Sequence, residues 1–436
     1  MAGLLFGADE RATRNAPRLP DASGVRYAYG MNENAAGPIQ FFARVRHRDR
    51  DTSFGIKQLD RRSHLYAIGK TGTGKTTLLH TMLADDMAEG RGCALLDPHG
   101  DLAERLFKEC PPDQRKRLIY LDPADPDCSL SYNPLMRTSA ILRPLVAAGL
   151  LDVFYMMWSD AWGPRMEHML RNALLALLDQ PHATLPDILR LLTDKTYRNE
   201  VISNIENETI KRFWRTEYPK YSGRYQSDAI APIQSKVGAL LADPRLYRFF
   251  TSRDNPLRLR KIMDEGKILV INLSKGRLGS DSSKLVGGVL TTMMSLAAFS
   301  RADIAEETRR PFFIFIDEFQ TFTTLAIADM LAELRKMGVA MVMAHQYFHQ
   351  LEPEIRHAVL GNAGTIISFR VGAEDAGYLA KEFEPKFARI DLINLANHHI
   401  YLKLLIDGAP SKPFSAITLT REDVERESRA KAFLGN

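Results

Sequence analysis

Cysteine is scarce: Cys93, Cys110 and Cys128 are the three in 436 residues. Their number is odd and no two have metal-ligand spacing. Neither a disulfide framework nor a cysteine-built metal centre is therefore expected, and a reducing, cytosolic setting is the simple reading. Long apolar runs are lacking as well. The two nearest to one are residues 142–158, broken by Arg143, Pro144 and Asp152, and residues 285–300, rich in Thr, Ser and Gly. A bilayer span needs about 18 uninterrupted apolar residues. The N-terminus (MAGLLFGADERATRNAPR) has too short an apolar run to serve as a secretory leader. There is no internal repeat and no low-complexity tract, so repeat architectures are set aside.

What is present is ordinary globular material: 45% hydrophobic and 25% charged residues, enough for a sizeable core. The length suggests two or three domains. The net charge of +5 is compatible with an acidic polymer as partner but does not require one.

Residues 1–36, rich in Arg, Asn, Pro and Gly, lack periodicity and read as a mobile arm. Weak alternation over 38–58 suggests short strands. Near-continuous apolar runs then alternate with helical pattern: HLYAIG (64–69), CALLDP (93–98), LIYLDP (118–123), KILVINL (267–273), FFIFIDE (312–318), VAMVMAH (339–345), GTIISFRV (364–371) and, as the last expected strand, HIYLKLL (399–405). This is the signature of an α/β fold with a mostly parallel sheet covered on both faces. Residues 135–260 differ. Apolar residues recur there at helical spacing, as in MEHMLRNALLALL, and no strand is evident. The expectation is an all-α inserted domain at 135–260, splitting a nucleotide-binding domain into 37–134 and 261–420, with a charged tail at 421–436.

The segment Gly69-Lys70-Thr71-Gly72-Thr73-Gly74-Lys75-Thr76 fits the phosphate-binding pattern G-x-x-x-x-G-K-[ST] between an apolar run and a helical one. Glycines let the backbone curl round phosphates, and successive N–H groups at a helix N-terminus attract the anion. Together with Thr77, these residues form the expected ATP site. Lys75 would reach the β and γ phosphates, and the Thr76 hydroxyl would bind Mg²⁺. PFFIFIDEFQ (311–320) supplies the second half. Asp317 would hold Mg²⁺, and Glu318 would polarise the attacking water as general base. Adjacent strand residues face opposite ways, so both can serve one site only if the chain turns at 318. Gln346, ending another apolar run, either contacts the γ-phosphate or caps a strand; His345 is the weaker candidate. Asp97, His99 and Asp101 sit at a strand end, where they either support the site or merely terminate the strand. An arginine from a neighbouring subunit often completes such sites. Arg335 is the first candidate and Arg370 the second, with a surface ion pair an equal reading of each.

YAIGKTGTGKTTLL, ALLDPHGDLAERL, WGPRMEHMLRNALLAL, LVINLSKGRLG, FIDEFQTF, MAHQY and GNAGTIISFRVGAEDA together resemble the HerA–FtsK superfamily of P-loop ATPases. They are most similar to the type IV secretion coupling proteins, the TraG/TraD-like conjugative DNA-transfer ATPases. The likeness spans about residues 52–420. It implies a RecA-like motor domain carrying an all-α domain, a homohexameric ring with ATP at subunit interfaces, and DNA threaded through the centre. It also implies that Gln346 is a sensor and Arg335 a finger. Coupling proteins typically begin with transmembrane helices, whereas this sequence opens on a polar arm. The expectation is therefore a cytoplasmic form, docked peripherally at the inner membrane if at all.

The resulting functional expectation is a DNA-stimulated ATPase that pumps DNA. Its alternatives are a protein-moving secretion ATPase or an ATP-gated scaffold for a partner such as a nuclease. For DNA contacts, SKGRLGSDSSK (274–284) offers Lys275, Arg277 and Lys284 on a loop that either tracks phosphates in a pore or is simply solvated. KRFWRTEYPKYSGRY (211–225) interleaves basic and aromatic residues as single-strand binders do, although helix packing explains Phe213, Trp214 and Tyr218 as well. The inserted domain would receive cargo or an accessory protein.

Overall fold

The structure, a computed structural model, describes residues 39–47, 50–252 and 255–426. The expected N-terminal arm and the tail beyond 426 lie outside the described residues. The strands are β1 (Ile39–His47), β2 (Arg50–Lys57), β3 (Leu65–Ile68), β4 (Gly92–Asp97), β5 (Leu118–Leu121), β6 (Ile268–Asn272), β7 (Phe312–Ile316), β8 (Val339–His345), β9 (Thr365–Ser368), β10 (His399–Lys403), β11 (Leu405–Ile406), β12 (Ala409–Pro410) and β13 (Phe414–Thr418). Eleven of them form one sheet in the order β2-β1-β13-β10-β9-β3-β8-β7-β4-β6-β5. From β9 to β5 every neighbour is parallel, and from β2 to β9 every neighbour is antiparallel.

The central parallel strands β7 and β8 are buried along their length, which explains the near-continuous apolar runs of FFIFI and VAMVMAH. Two apolar cores, one on each face, hold the sheet. The chain does not end its strands at 405, as the sequence pattern suggested. A tight β11–β12 hairpin follows, and β13 then returns to pair with both β10 and β1. FSAIT alternates buried and half-buried positions over only five residues, too short a signal to stand out before pairing is known.

The helices that position the site are α1 (Lys75–Ala88), α2 (Asp101–Glu109), α3 (Arg143–Trp158), α4 (Pro164–Leu178), α5 (Gly223–Leu241), α6 (Pro244–Phe250), α7 (Ser280–Phe299) and α8 (Leu325–Leu334). Among the described residues, 122–266 contribute no strand. Their helices share one continuous apolar core with a face of the sheet. The seam is α3 on α7. A Cβ on Gly149 would stand 2.5 Å from Thr292 Cγ2, so that glycine sets how closely the two helices approach. Phe213, Trp214 and Tyr218 are buried in this core, so packing accounts for them and they are closed to a nucleic acid.

Helix α7 belongs to the one segment among the described residues, Ser280–Asp303, that is long and apolar enough to cross a membrane. With 78% of its most apolar window buried, it acts as the central core helix here. Two of its buried hydroxyls bond back to the helix, Thr291 donating to the Gly287 carbonyl at 2.7 Å and Ser295 to that of Thr291 at 3.1 Å.

His64 joins this core to the start of β3. Its Nδ1 accepts the Met341 N–H at 2.9 Å, and its Nε2 lies 2.8 Å from the Leu331 carbonyl. Only a neutral ring protonated on Nε2 satisfies both. Burial lowers its pKa from 6.5 to about 4, with Arg335 adding to the shift against the Leu331 bond. A group that binds its proton less well when folded favours the unfolded chain in acid. Its stabilisation is complete above about pH 6.5 and declines as pH falls towards 4, by at most ~1.4 kcal/mol per unit. Urea-unfolding midpoints should drop between pH 7 and 5, less steeply in His64→Asn. A flat midpoint across that range would show that His64 is not held as described.

Candidate active site

In a parallel sheet the strand ends at the carboxyl edge converge on one crevice. Here β3, β8 and β7 are successive neighbours, so the loops after Ile68, His345 and Ile316 open side by side. The glycine-rich loop follows β3. The Gly69 N–H donates to the His345 carbonyl at 3.2 Å and the Lys70 N–H to the Arg370 carbonyl at 2.9 Å, which pins the loop's start to β8 and to the end of β9. Thr73 closes the curl, its hydroxyl donating to the Lys70 carbonyl at 2.7 Å. Gly72 and Gly74 take φ of +75° and +121°, values that L side chains rarely adopt. Helix α1 begins at once with Lys75.

The Lys75 ammonium is buried and donates to the carbonyls of Gly69 at 2.5 Å and Lys70 at 3.1 Å. Burial lowers its pKa, while the fields of Glu318 and Asp317 oppose that shift. Thr76 Oγ1 lies 3.3 Å from Asp317 Oδ2. Burial, the neighbouring Glu318 and then Asp97 push the Asp317 carboxyl up to about 6. A carboxylate crowded in this way is a natural ligand for a cation.

Glu318 has φ 48° and ψ 54°, a left-handed turn directly after the strand. That turn lets two consecutive carboxylates serve one site. The Asp317 side chain accepts the Glu318 N–H at 3.0 Å. Glu318 is itself buried and held from both sides. Gln320 Nε2 donates to Oε2 at 2.7 Å and Gln346 Nε2 to Oε1 at 2.5 Å. Gln346 Oε1 in turn accepts the Thr71 hydroxyl at 2.9 Å. Gln346 thus bridges the phosphate-binding loop and the carboxylate.

The donor set fits a nucleotide and Mg²⁺. The Cβ position of Gly72 meets nothing within 4 Å, leaving the loop's face open to a phosphate. Among the described residues, no group of three or more His, Cys, Asp or Glu could hold a metal alone. One carboxylate and one hydroxyl beside a phosphate loop is the arrangement by which Mg²⁺ is held when phosphate oxygens complete its shell. When bound, that ion would neutralise phosphate charge.

The profile for the type IV secretion-system coupling protein DNA-binding domain matches residues 53–383. The chain belongs to this coupling-protein family. Solved structures agree on the fold. The bacterial conjugative coupling protein TrwBdeltaN70 in its unbound form superposes with a TM-score of 0.62 at 16% identity, over 92% of this chain and 91% of that one. Plasmid coupling protein TrwB in complex with ADP and Mg²⁺ gives 0.62 at 15%, over 88% and 95%. VirB4 of Thermoanaerobacter pseudethanolicus gives 0.60 at 15%, over 90% and 98%. Among curated proteins none matches the sequence.

In this coupling-protein chain the structure brings Gly69 to Thr77, Asp317, Glu318 and Gln346 to one edge of the sheet. Other expected residues lie elsewhere or do other work. Arg335 is exposed just after α8, at the opposite end of β8 from Gln346. Seven strand residues separate the two ends, about 20 Å. Arg335 therefore cannot reach its own chain's site. Arg370 is at the right edge, but its guanidinium is bonded to the Leu395 carbonyl at 3.3 Å and Asn397 Oδ1 at 3.0 Å. Asp97 is structural: its carboxylate accepts the His99 N–H at 2.9 Å and the Ala103 N–H at 3.0 Å, which fixes the start of α2. The His99 ring stands 3.9 Å from Glu318 Oε1. His345 is buried against Tyr66, its Nδ1 3.2 Å from the phenol, and its pKa is lowered to about 3 by burial.

Two residues escaped the sequence reading. Gln320 is the second clamp on Glu318; its place two residues after the carboxylate was the available signal. His398 has its Nδ1 2.9 Å from where a Gly74 Cβ would lie, and its N–H donates to the Thr73 carbonyl at 2.8 Å. Only tertiary folding reveals that contact, because β10 comes late in the chain but lies two places from β3 in the sheet.

Replacing Glu318 by Gln keeps the shape and removes the carboxylate expected to act as base. Single-turnover hydrolysis should fall ~10²–10⁴-fold, while equilibrium binding of a fluorescent ATP analogue stays within a few-fold of wild type. Hydrolysis at the wild-type rate would remove Glu318 from the chemistry.

Proposed function

We propose that this coupling-protein chain hydrolyses MgATP and uses the energy to move DNA through a homohexameric ring. The observation that carries the reading is the bridge from Thr71 through Gln346 to Glu318, which ties the phosphate loop to a buried, doubly clamped carboxylate. A carboxylate so held can take a proton from a water aligned on the γ-phosphate. The Lys75 ammonium, released from the Gly69 and Lys70 carbonyls, neutralises phosphoryl charge, and Thr76 and Asp317 hold the Mg²⁺. Gln346 senses whether the γ-phosphate is present, because its amide spans both partners. ADP and phosphate leave, and Glu318 returns its proton to solvent.

The placement of Arg335 is consistent with ring assembly. Exposed and remote from its own site, it is placed to act on a neighbour's γ-phosphate as a finger across a subunit interface. DNA as the moved polymer is supported by the family's DNA-binding description and by the positive net charge. The helical segment around 135–260 receives cargo or an accessory protein. The site of action is the cytoplasm, with peripheral docking at the inner membrane. The second reading is a protein-moving secretion ATPase, favoured by the shared fold with VirB4.

Steady-state ATP hydrolysis at fixed salt, alone and with single- or double-stranded DNA, separates the two. The DNA-moving reading predicts several-fold stimulation by one form, weakening as salt rises. Robust turnover indifferent to both forms would transfer the proposal to the protein-moving reading.

A further inference from the structure

The basic segment after β6 does not form the open loop that its sequence suggested. Residues Lys275–Leu278 make a short helical turn, and α7 starts at Ser280. Two of its three cations bond to other parts of the molecule. Arg277 Nη1 pairs with the buried Asp122 carboxylate at 2.5 Å. Lys275 turns inward and is only half exposed; its ammonium lies 3.4 Å from Thr321 Oγ1. Thr321 closes the turn that begins at the catalytic carboxylate, its N–H donating to the Glu318 carbonyl at 2.8 Å. Burial lowers the Lys275 pKa, and the field of Glu318 raises it, so the two charges sense each other.

The other side of the same turn is gripped from the helical segment. Arg245, in the first turn of α6, donates from Nη1 to the Arg277 carbonyl at 2.6 Å and from Nη2 to the Leu278 carbonyl at 3.3 Å. These are carbonyls at the turn's C-terminal end, where a guanidinium is favoured. Arg245 is itself held by Asp243, Nε to Oδ1 at 2.9 Å and Nη2 to Oδ2 at 2.7 Å. Asp243 also accepts the Ser282 hydroxyl at 3.4 Å, which ties in the first turn of α7. At its base the segment is anchored to the sheet, the Lys275 N–H donating to the Pro98 carbonyl at 2.9 Å and the Leu273 N–H to that of Asp97 at 2.8 Å. Residues 274–279 therefore touch the Glu318 turn at one end and α6 at the other.

We propose that Lys275 is a positioning residue for Glu318 and that Arg245 sets the placement of Lys275, so that residues 274–279 relay the position of the helical segment to the hydrolytic carboxylate. A load on α6 that shifts Arg245 moves the Arg277 and Leu278 carbonyls. The turn carries Lys275 with them, and the cation that steadies the Glu318 turn is displaced. The relay rests on the assignment of Glu318 as the base, and it says nothing about which polymer is moved.

The test is a double-mutant cycle on ATP hydrolysis, with melting temperature and fluorescent-ATP affinity measured alongside. Lys275→Met keeps most of the buried stem and removes the charge. It should lower kcat about 10-fold or more while leaving KM, nucleotide affinity and melting temperature close to wild type, and Lys275→Arg should recover most of the loss. Arg245→Ala should lower kcat less. The double variant should be no slower than Lys275→Met alone, because the two act in series. A Lys275→Met enzyme with wild-type kcat overturns the proposal. Multiplicative losses in the double variant, or a kcat loss that follows a lowered melting temperature, overturn it too. The wild-type and Glu318→Gln rates report separately on the ATPase reading, so its failure is distinguishable from failure of the relay.

Discussion

The hydrogen bond from Gln346 to Glu318 is the interaction on which the site depends. It exists because β8 lies between the phosphate-loop strand and the Asp317 strand, so the end of β8 delivers a side chain midway between them. The amide has two ends, and each has one partner: Nε2 on the carboxylate, Oε1 on the Thr71 hydroxyl. A side chain of that length at any other strand end could not connect the two. The left-handed turn at Glu318 is the complementary constraint. It places the carboxylate where Gln346 and Gln320 meet it, and the bond from the Glu318 N–H to Asp317 locks the turn.

The electrostatics of the crevice follow from gathering charge where water is sparse. Lys75, Asp317 and Glu318 are all buried, and each moves the titration of a neighbour. A cation beside Asp317 and an anion beside Lys75 would each relieve a cost that the folded chain otherwise carries. The buried apolar core of the sheet holds these groups in place, with strands such as FFIFI packed on both faces.

Much of this was legible in sequence because phosphate binding imposes rigid local demands. Gly72 and Gly74 must adopt backbone angles that other residues avoid, so the pattern at 69–76 survives as spacing. The parallel strands were legible because burial on both faces leaves short apolar runs bounded by turn residues, too short for a helix. What failed to show was direction. Lys275 reads as an exposed loop cation until a four-residue helical turn points it at Thr321. Phe213 and Trp214 read equally as stacking platforms or core, and their burial decides for core. His398 enters the site through a contact that sequence spacing does not encode. Arg335 shows the same gap from the other side, since its distance from its own site appears only once β8 is built.

The central claim is that Gln346 links the phosphate loop to the carboxylate. Single-turnover ATP hydrolysis by Gln346→Ala, measured beside its nucleotide affinity, tests it most directly. The account predicts affinity within a few-fold of wild type and hydrolysis slowed at least ~10-fold, because Glu318 loses one of its two clamps. Hydrolysis at the wild-type rate with unchanged affinity would contradict it.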